Sequence, residues 1–238
     1  MITWIIATIA AFFIKGLCGF ANTLVFNSIL AYGNNNINVS PVELLLGYPT
    51  NIIMTIRERR SIKISVFIPT AILVIAGSIP GVFLLKNLDA VIVKIIFGIV
   101  VILIGLEMLI REYSNSKTKE SKALLTAIGL LSGLLCGLYG IGALLGAYIS
   151  RVSDDTKEFK ANICAVFIVE NTFRIFLYAL TGIMTLEVIK NVILLFPFMI
   201  LGLFLGIKLS SILDDKVIKK IVIVMLIISG IALIINNL

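Results

Sequence analysis

Apolar residues fill this chain in eight runs, near 2–33, 41–56, 64–85, 90–110, 123–150, 158–181, 186–209 and 217–235, and polar residues crowd into the gaps between them. Each run predicts a helix, and most match the roughly 30 Å hydrocarbon core of a bilayer. Run ends carry helix signals. Ser40-Pro41-Val42-Glu43 predicts a capping box with proline at the first helical position, and Asp155 with Glu158 repeats it. Asp89 and Asp214 are expected N-caps. The one linker-like stretch is Arg111 to Lys122, which divides a first unit, 1–112, from a second, 123–238, with 113–122 as a polar cytoplasmic connection.

Two runs carry residues that an uninterrupted helix should avoid. "KGLCGFAN", Lys15 to Asn22, interrupts the first, and "GLYGIG", Gly137 to Gly142, interrupts the fifth. As one helix the first run would be roughly 48 Å long, too long for a single span. Folded at the glycines it becomes a re-entrant hairpin with two arms of about 20 Å. The shorter fifth run earns its hairpin mainly from the glycine match.

The two units resemble each other. "AGSIPGVFLLKNLD" (Ala76 to Asp89) aligns with "LGLFLGIKLSSILD" (Leu201 to Asp214), placing Gly77 on Gly202 and Gly81 on Gly206. At the same offset Lys94 meets Lys219 and Gly105 meets Gly230, while Gly16 pairs with Gly137 and Gly19 with Gly140. An internal duplication is expected, as in secondary transporters. The paired glycines at 77/81 and 202/206, spaced small-xxx-small, are expected to serve helix packing.

Composition fixes the solvent. With 60% hydrophobic residues, 14% charged residues and mean hydropathy +1.13, the chain predicts a polytopic all-α membrane protein. The net charge of +7 lies in short clusters between apolar runs, so it predicts cytoplasmic loops and no nucleic-acid partner. The first residues lack a basic n-region, so no cleaved signal peptide is expected. No histidine is present, and Cys18, Cys136 and Cys164 show no paired spacing, which argues against a metal, a cofactor or a disulfide framework. The aspartates stand at run ends and no Gly-x-Ser-x-Gly turn occurs, so no enzyme is predicted.

Charge also bears on topology. With eight full crossings, the loop lysines and arginines divide evenly between the two faces. With runs one and five as hairpins, only Lys86, Lys94 and Lys190 lie outside, and the remaining loop cations, from Arg57 to Lys220, lie inside. That is a strong positive-inside bias. Each unit then has a broken helix plus three transmembrane helices, an odd number of crossings, so the repeats are inverted. One tip dips in from each face.

Irregular backbone at membrane depth survives only when it is buried in protein or lines a wet cavity. Glycines permit the turn, and the arm leaving each tip points free N–H groups and a positive dipole end at the bilayer middle. That arrangement suits an anion. The expected substrate-binding set is Gly16, Cys18, Gly19, Phe20 and Asn22 at the first tip, Gly137, Tyr139, Gly140 and Gly142 at the second, and Asn51, Asn171 and Arg174 between them. Lys15 and Glu170 are coupling candidates. Glu170 and Arg174 stand one turn apart and equally suit a self-neutralising structural pair. Asn51 and Asn171 equally suit an interhelical hydrogen bond of about 1 kcal/mol. Glu107 reads as an interfacial carboxylate, and Cys164 as a small hydrophobe.

The glycine-rich broken first helix, its copy opening the second half, and a length near 240 residues resemble the sulfite exporter TauE/SafE family of membrane transport proteins. Cys18 and Asn22 depart from a glycine-richer tip. The resemblance implies a plasma-membrane permease exporting a small anion such as sulfite or an organosulfonate, its partners being that substrate and the bilayer. The residues alone leave two alternatives: a thiosulfate or other sulfur-compound transporter using the tip cysteines, and a non-transporting scaffold subunit. Access is expected to alternate by rocking of one repeat against the other. No oligomeric state follows from the sequence.

Overall fold

The computed structural model describes residues 1–30, 36–84, 122–139, 142–180 and 182–235, with scattered helical positions between 95 and 110. All regular structure among these residues is helical. In chain order the elements are α1 (Ile2–Cys18), α2 (Asn22–Leu30), α3 (Asn36–Arg57), a 3-10 turn (Arg59–Ser61), α4 (Ile64–Leu84), α5 (Lys122–Tyr139), α6 (Ala143–Val152), α7 (Thr156–Leu180), α8 (Leu186–Ser210) and α9 (Asp215–Ile235). The expectations at Lys86, Asp89, Lys94, Glu107 and the 111–121 linker lie outside the described residues.

Both interrupted runs are broken. The first breaks between Cys18 and Asn22, where Gly19 caps α1 with φ 90° and its N–H donates to the Lys15 carbonyl at 2.6 Å. Ala21 also has positive φ, 70°, a conformation that costs an L-residue about 1–2 kcal/mol. The second breaks between Tyr139 and Ala143. At the second break the arms are unequal, 18 residues against 10, or about 27 against 15 Å; at the first, α1 has 17 residues, about 26 Å, and its return arm is described as far as Leu30.

Capping is borne out at one site and corrected at another. The Asp155 carboxylate accepts from the Glu158 N–H at 2.7 Å, immediately before α7. Ser40 to Glu43, by contrast, lies inside α3, which begins at Asn36, so Glu43 caps nothing. The S-x-x-E pattern is met, but the helix has already started.

Helix pairing is set by glycine. A Cβ on Gly16 would stand 2.3 Å from the Leu203 carbonyl oxygen, and one on Gly202 would stand 2.5 Å from that of Ile9. Such a seam closes only without side chains. At a second seam, Gly137 faces the Ser78 oxygen at 2.5 Å and Gly77 faces the Leu130 oxygen at 2.1 Å. The packing role expected of Gly77, Gly202 and Gly206 is thereby met. Thus α1 lies parallel to α8, and α4 lies parallel to α5. The positions correspond: shifting α1 by the Gly16-to-Gly137 offset and α8 by the Gly202-to-Gly77 offset turns the first set of contacts into the second. Gly105 against Ile227 and Gly230 against Ile102 form a third, reciprocal pair.

At one end of the bundle the loops converge. The Lys63 ammonium bonds the Asp154 carboxylate at 2.5 Å and the Glu158 carboxylate at 2.8 Å, and the Lys63 N–H donates to Asn162 at 3.2 Å. Mutual attraction pushes the Lys63 pKa above the ordinary ammonium value and holds that of Asp154 below the usual carboxylate range. At the other end of these helices, Ser40 meets Tyr178 at 3.3 Å, so α3 and α7 are antiparallel.

The distribution of polarity is the reverse of a water-soluble fold. Ile72 is 61% exposed, Ile193 68% and Phe204 54%, while Lys15, Glu43, Glu170 and Arg174 are 1–3% exposed. Apolar side chains outside and charges inside require an apolar solvent. Among the described residues, α7 and α8, each 25 residues, are long and apolar enough to cross a membrane, and Ile2–Cys18, Ile64–Pro80 and Thr126–Gly137 are shorter apolar stretches.

Candidate functional site

The buried charges converge on α3 and α7. Along α7, Phe167, Glu170, Asn171 and Arg174 recur at steps of three and four, so they share a face. Along α3, Glu43, Gly47 and Asn51 recur at steps of four and do the same. Antiparallel packing of the two helices, with the tips beside them, makes one polar interior.

On the first-tip side, Lys15 in the last turn of α1 donates to the Asn22 side-chain oxygen at 3.1 Å, and the Asn22 amide nitrogen donates to the Glu43 carboxylate. Thr23 also hydrogen-bonds that carboxylate. The Lys15 ammonium lies 5.5 Å from the centre of the Phe167 ring, within cation–π range. Lys15 is therefore an interior lysine: at 1% exposure it is held inside by Asn22 and an aromatic face.

On the α7 side, the Arg174 Nε stands 3.3 Å from a Glu170 oxygen, and Nη2 donates to the Asn171 oxygen at 3.1 Å. Nη1 has no hydrogen-bond partner among the described residues, nor has the Asn51 oxygen. Arg174 and Lys15 both act electrostatically on Glu43, which joins the two sides. An incomplete donor set on a buried guanidinium is an opening for an acceptor.

The remaining expected residues fall around this interior. Gly16 and Gly137 stand at helix crossings. Cys18 ends α1, fully buried, in the field of Lys160, and Cys136 lies in the field of Glu170 and Arg174. The Gly19 carbonyl accepts from the Cys164 thiol at 3.4 Å. Phe20 packs edge-on against Phe159, centroids 5.9 Å apart. Gly142 opens α6 without a side-chain cap, and a Cβ there would lie 2.1 Å from the Phe167 ring. Tyr139 ends α5, its side chain lying outside the described residues with all of Gly140.

Sequence reasoning missed Glu43 and Phe167. Glu43 was legible as the acid of a four-residue repeat with Gly47 and Asn51, and Phe167 as one turn from Glu170 on the same stripe. Phe167 lies between Lys15, in the last turn before the first break, and Gly142, at the second.

An apolar coat around a buried, charge-bearing interior beside two broken helices defines a helical membrane transport protein. The particular family follows from comparison: residues 4–233 match the sulfite exporter TauE/SafE family, and the chain belongs to it. No curated protein and no solved structure matches the chain.

Proposed function

We propose that the chain is a plasma-membrane permease that exports a small sulfur oxyanion, sulfite or an organosulfonate, through a site bounded by the two breaks, Asn51, Asn171 and Arg174. The observation that carries this reading is Arg174, 3% exposed with Nη1 lacking an acceptor among the described residues, in the interior of a transport-family fold. A guanidinium recognises planar or pyramidal oxyanions through paired N–H groups. The first turns of α2 and α6 add backbone N–H groups that no helical carbonyl satisfies. For an anion moving without a co-transported proton, an inside-negative potential would assist exit by about 2.3 kcal/mol per charge per 100 mV.

The architecture that goes with this function is a pair of inverted repeats, 1–112 and 123–238, each a re-entrant broken helix and three crossings. Two observations support it. The contacts of α1 with α8 correspond position by position to those of α5 with α4. Lys63 bonds Asp154 and Glu158 directly, and eight full crossings would put the loops carrying those residues on opposite faces.

The test is efflux of labelled sulfite and of an organosulfonate from proteoliposomes holding the full chain. Saturable efflux that Arg174→Gln abolishes is the expected result. Efflux of neither anion from well-folded protein would return the chain to the scaffold reading.

A further inference from the structure

The buried ionisable groups that surround Glu43 can be named from every helix packed on it. Helix α1 contributes Lys15 and α7 contributes Arg174 and Glu170, while α2 contributes only the neutral Asn22 and Thr23. Helix α8 also packs on α3, but its Glu187, Lys190 and Lys208 are exposed. Among the described residues two cations therefore face two carboxylates, and the site without substrate is formally neutral. A monoanion entering it leaves one uncompensated negative charge away from water, which is costly at low dielectric.

Glu43 stands where that charge can be relieved. Its carboxylate is held by the side chains of Asn22 and Thr23, the first two residues of α2, and lies in the fields of both Lys15 and Arg174. These are the donors that an anion at the first break would use. Glu43 is thus a resident anion on the substrate's own ligands. Glu170, by contrast, makes no hydrogen bond among the described residues and faces only Arg174 of them at ion-pair distance.

We propose that Glu43 is the proton-coupling residue of the permease: each anion binds together with one proton taken up by the Glu43 carboxylate. The proton comes from the aqueous face to which the site is open. Neutral Glu43 then releases its ionic hold on Asn22, Thr23 and Lys15, the anion takes those donors, and the loaded site is again neutral. Anion and proton leave together on the far side. This inference rests on the permease reading and adds the coupling ion and the residue that carries it.

The experiment uses the full chain in lipid nanodiscs with methanesulfonate, a probe that stays ionised across the working range. Wild-type protein is expected to take up one proton per anion bound, measured with a pH-indicator dye in weak buffer. Its dissociation constant should rise by about tenfold per pH unit on the alkaline limb. Glu43→Gln is expected to bind without proton uptake and without that pH dependence, and its flux in proteoliposomes should become driven by membrane potential instead of by a pH gradient. Thr23→Val, a milder change that removes one donor to the charged carboxylate, should move the alkaline limb to higher pH. Proton uptake that persists in Glu43→Gln and vanishes in Glu170→Gln overturns the assignment, as does an unmoved limb in Thr23→Val. Binding without proton uptake in the wild type overturns the coupling alone; absence of sulfonate binding at every pH overturns the permease reading with it.

Discussion

Removing the Arg174 guanidinium isolates a buried carboxylate, and the cost can be worked from the geometry. The Arg174 and Glu170 side chains are 4% and 1% exposed and stand 3.3 Å apart, so Arg174→Met leaves Glu170 buried with no compensating charge at ion-pair distance among the described residues. Breaking a buried pair from one side costs about 3–5 kcal/mol. Glu43 loses a compensating cation as well, which pushes the loss to the upper part of that range. For a chain of this size the fall in midpoint is roughly 6–20 °C, at about 2–4 °C per kcal/mol. The double variant Glu170→Gln/Arg174→Met removes both charges and should recover most of the loss, because Lys15 still balances Glu43. The assay is a thermal unfolding series in detergent, read by intrinsic fluorescence and monodispersity, with efflux measured in parallel. Both variants should be silent in efflux. A single variant less than about 1 kcal/mol below wild type would mean that the pair is hydrated, and a double variant as unstable as the single would mean that packing, not charge, was lost.

Three further outcomes follow from local geometry. Gly16→Ala and Gly137→Ala drive a methyl to within 2.3 and 2.5 Å of the backbone oxygens of Leu203 and Ser78, so each should lower stability by about 1–3 kcal/mol in the same melts; a marked difference between them would break the correspondence of the two seams. Ala21→Gly relieves the positive φ at a smaller unfolded-state entropy cost, and a net gain of about 0.5–1 kcal/mol is expected from chemical denaturation; a loss of that size would show the strain to be absent. The Lys63 clamp is bounded on both sides. Asp154 is held below its ordinary value, so its contribution is present above the usual carboxylate range and fades as pH falls through it; Lys63 is raised, so its contribution is present below the usual ammonium range and fades as pH rises past it. Lys63→Met should flatten the acid limb of the melting profile slightly, since Asp154 is 85% exposed and screened by solvent, and an unchanged limb would remove the clamp from the account.

Helix positions were largely legible because long apolar runs between polar gaps leave little freedom in a bilayer. Runs 64–85, 158–181 and 186–209 became Ile64–Leu84, Thr156–Leu180 and Leu186–Ser210. Both breaks were legible because glycine clusters have few uses in an apolar run. The unequal arms at the second break were not, since the position of a break within a hairpin depends on what each arm packs against. Glu43 shows how a local rule misleads. Ser40 to Glu43 satisfies the capping pattern, yet the partner that decides Glu43's role is Asn22, on another helix, and no local spacing encodes that contact. Phe167 read as one more apolar residue because its importance lies in standing between Lys15 and Gly142, which are far apart in sequence.

The glycine seams tie α1 to α8 and α4 to α5 at a separation that admits no intervening side chain. Each seam joins a helix from before residue 112 to one from after it, so the two parts of the chain are laced together like clasped hands. Whatever swings during a transport cycle must carry a laced pair whole. The mechanical parts are therefore mixed from both sides of residue 112, and that boundary is not the hinge.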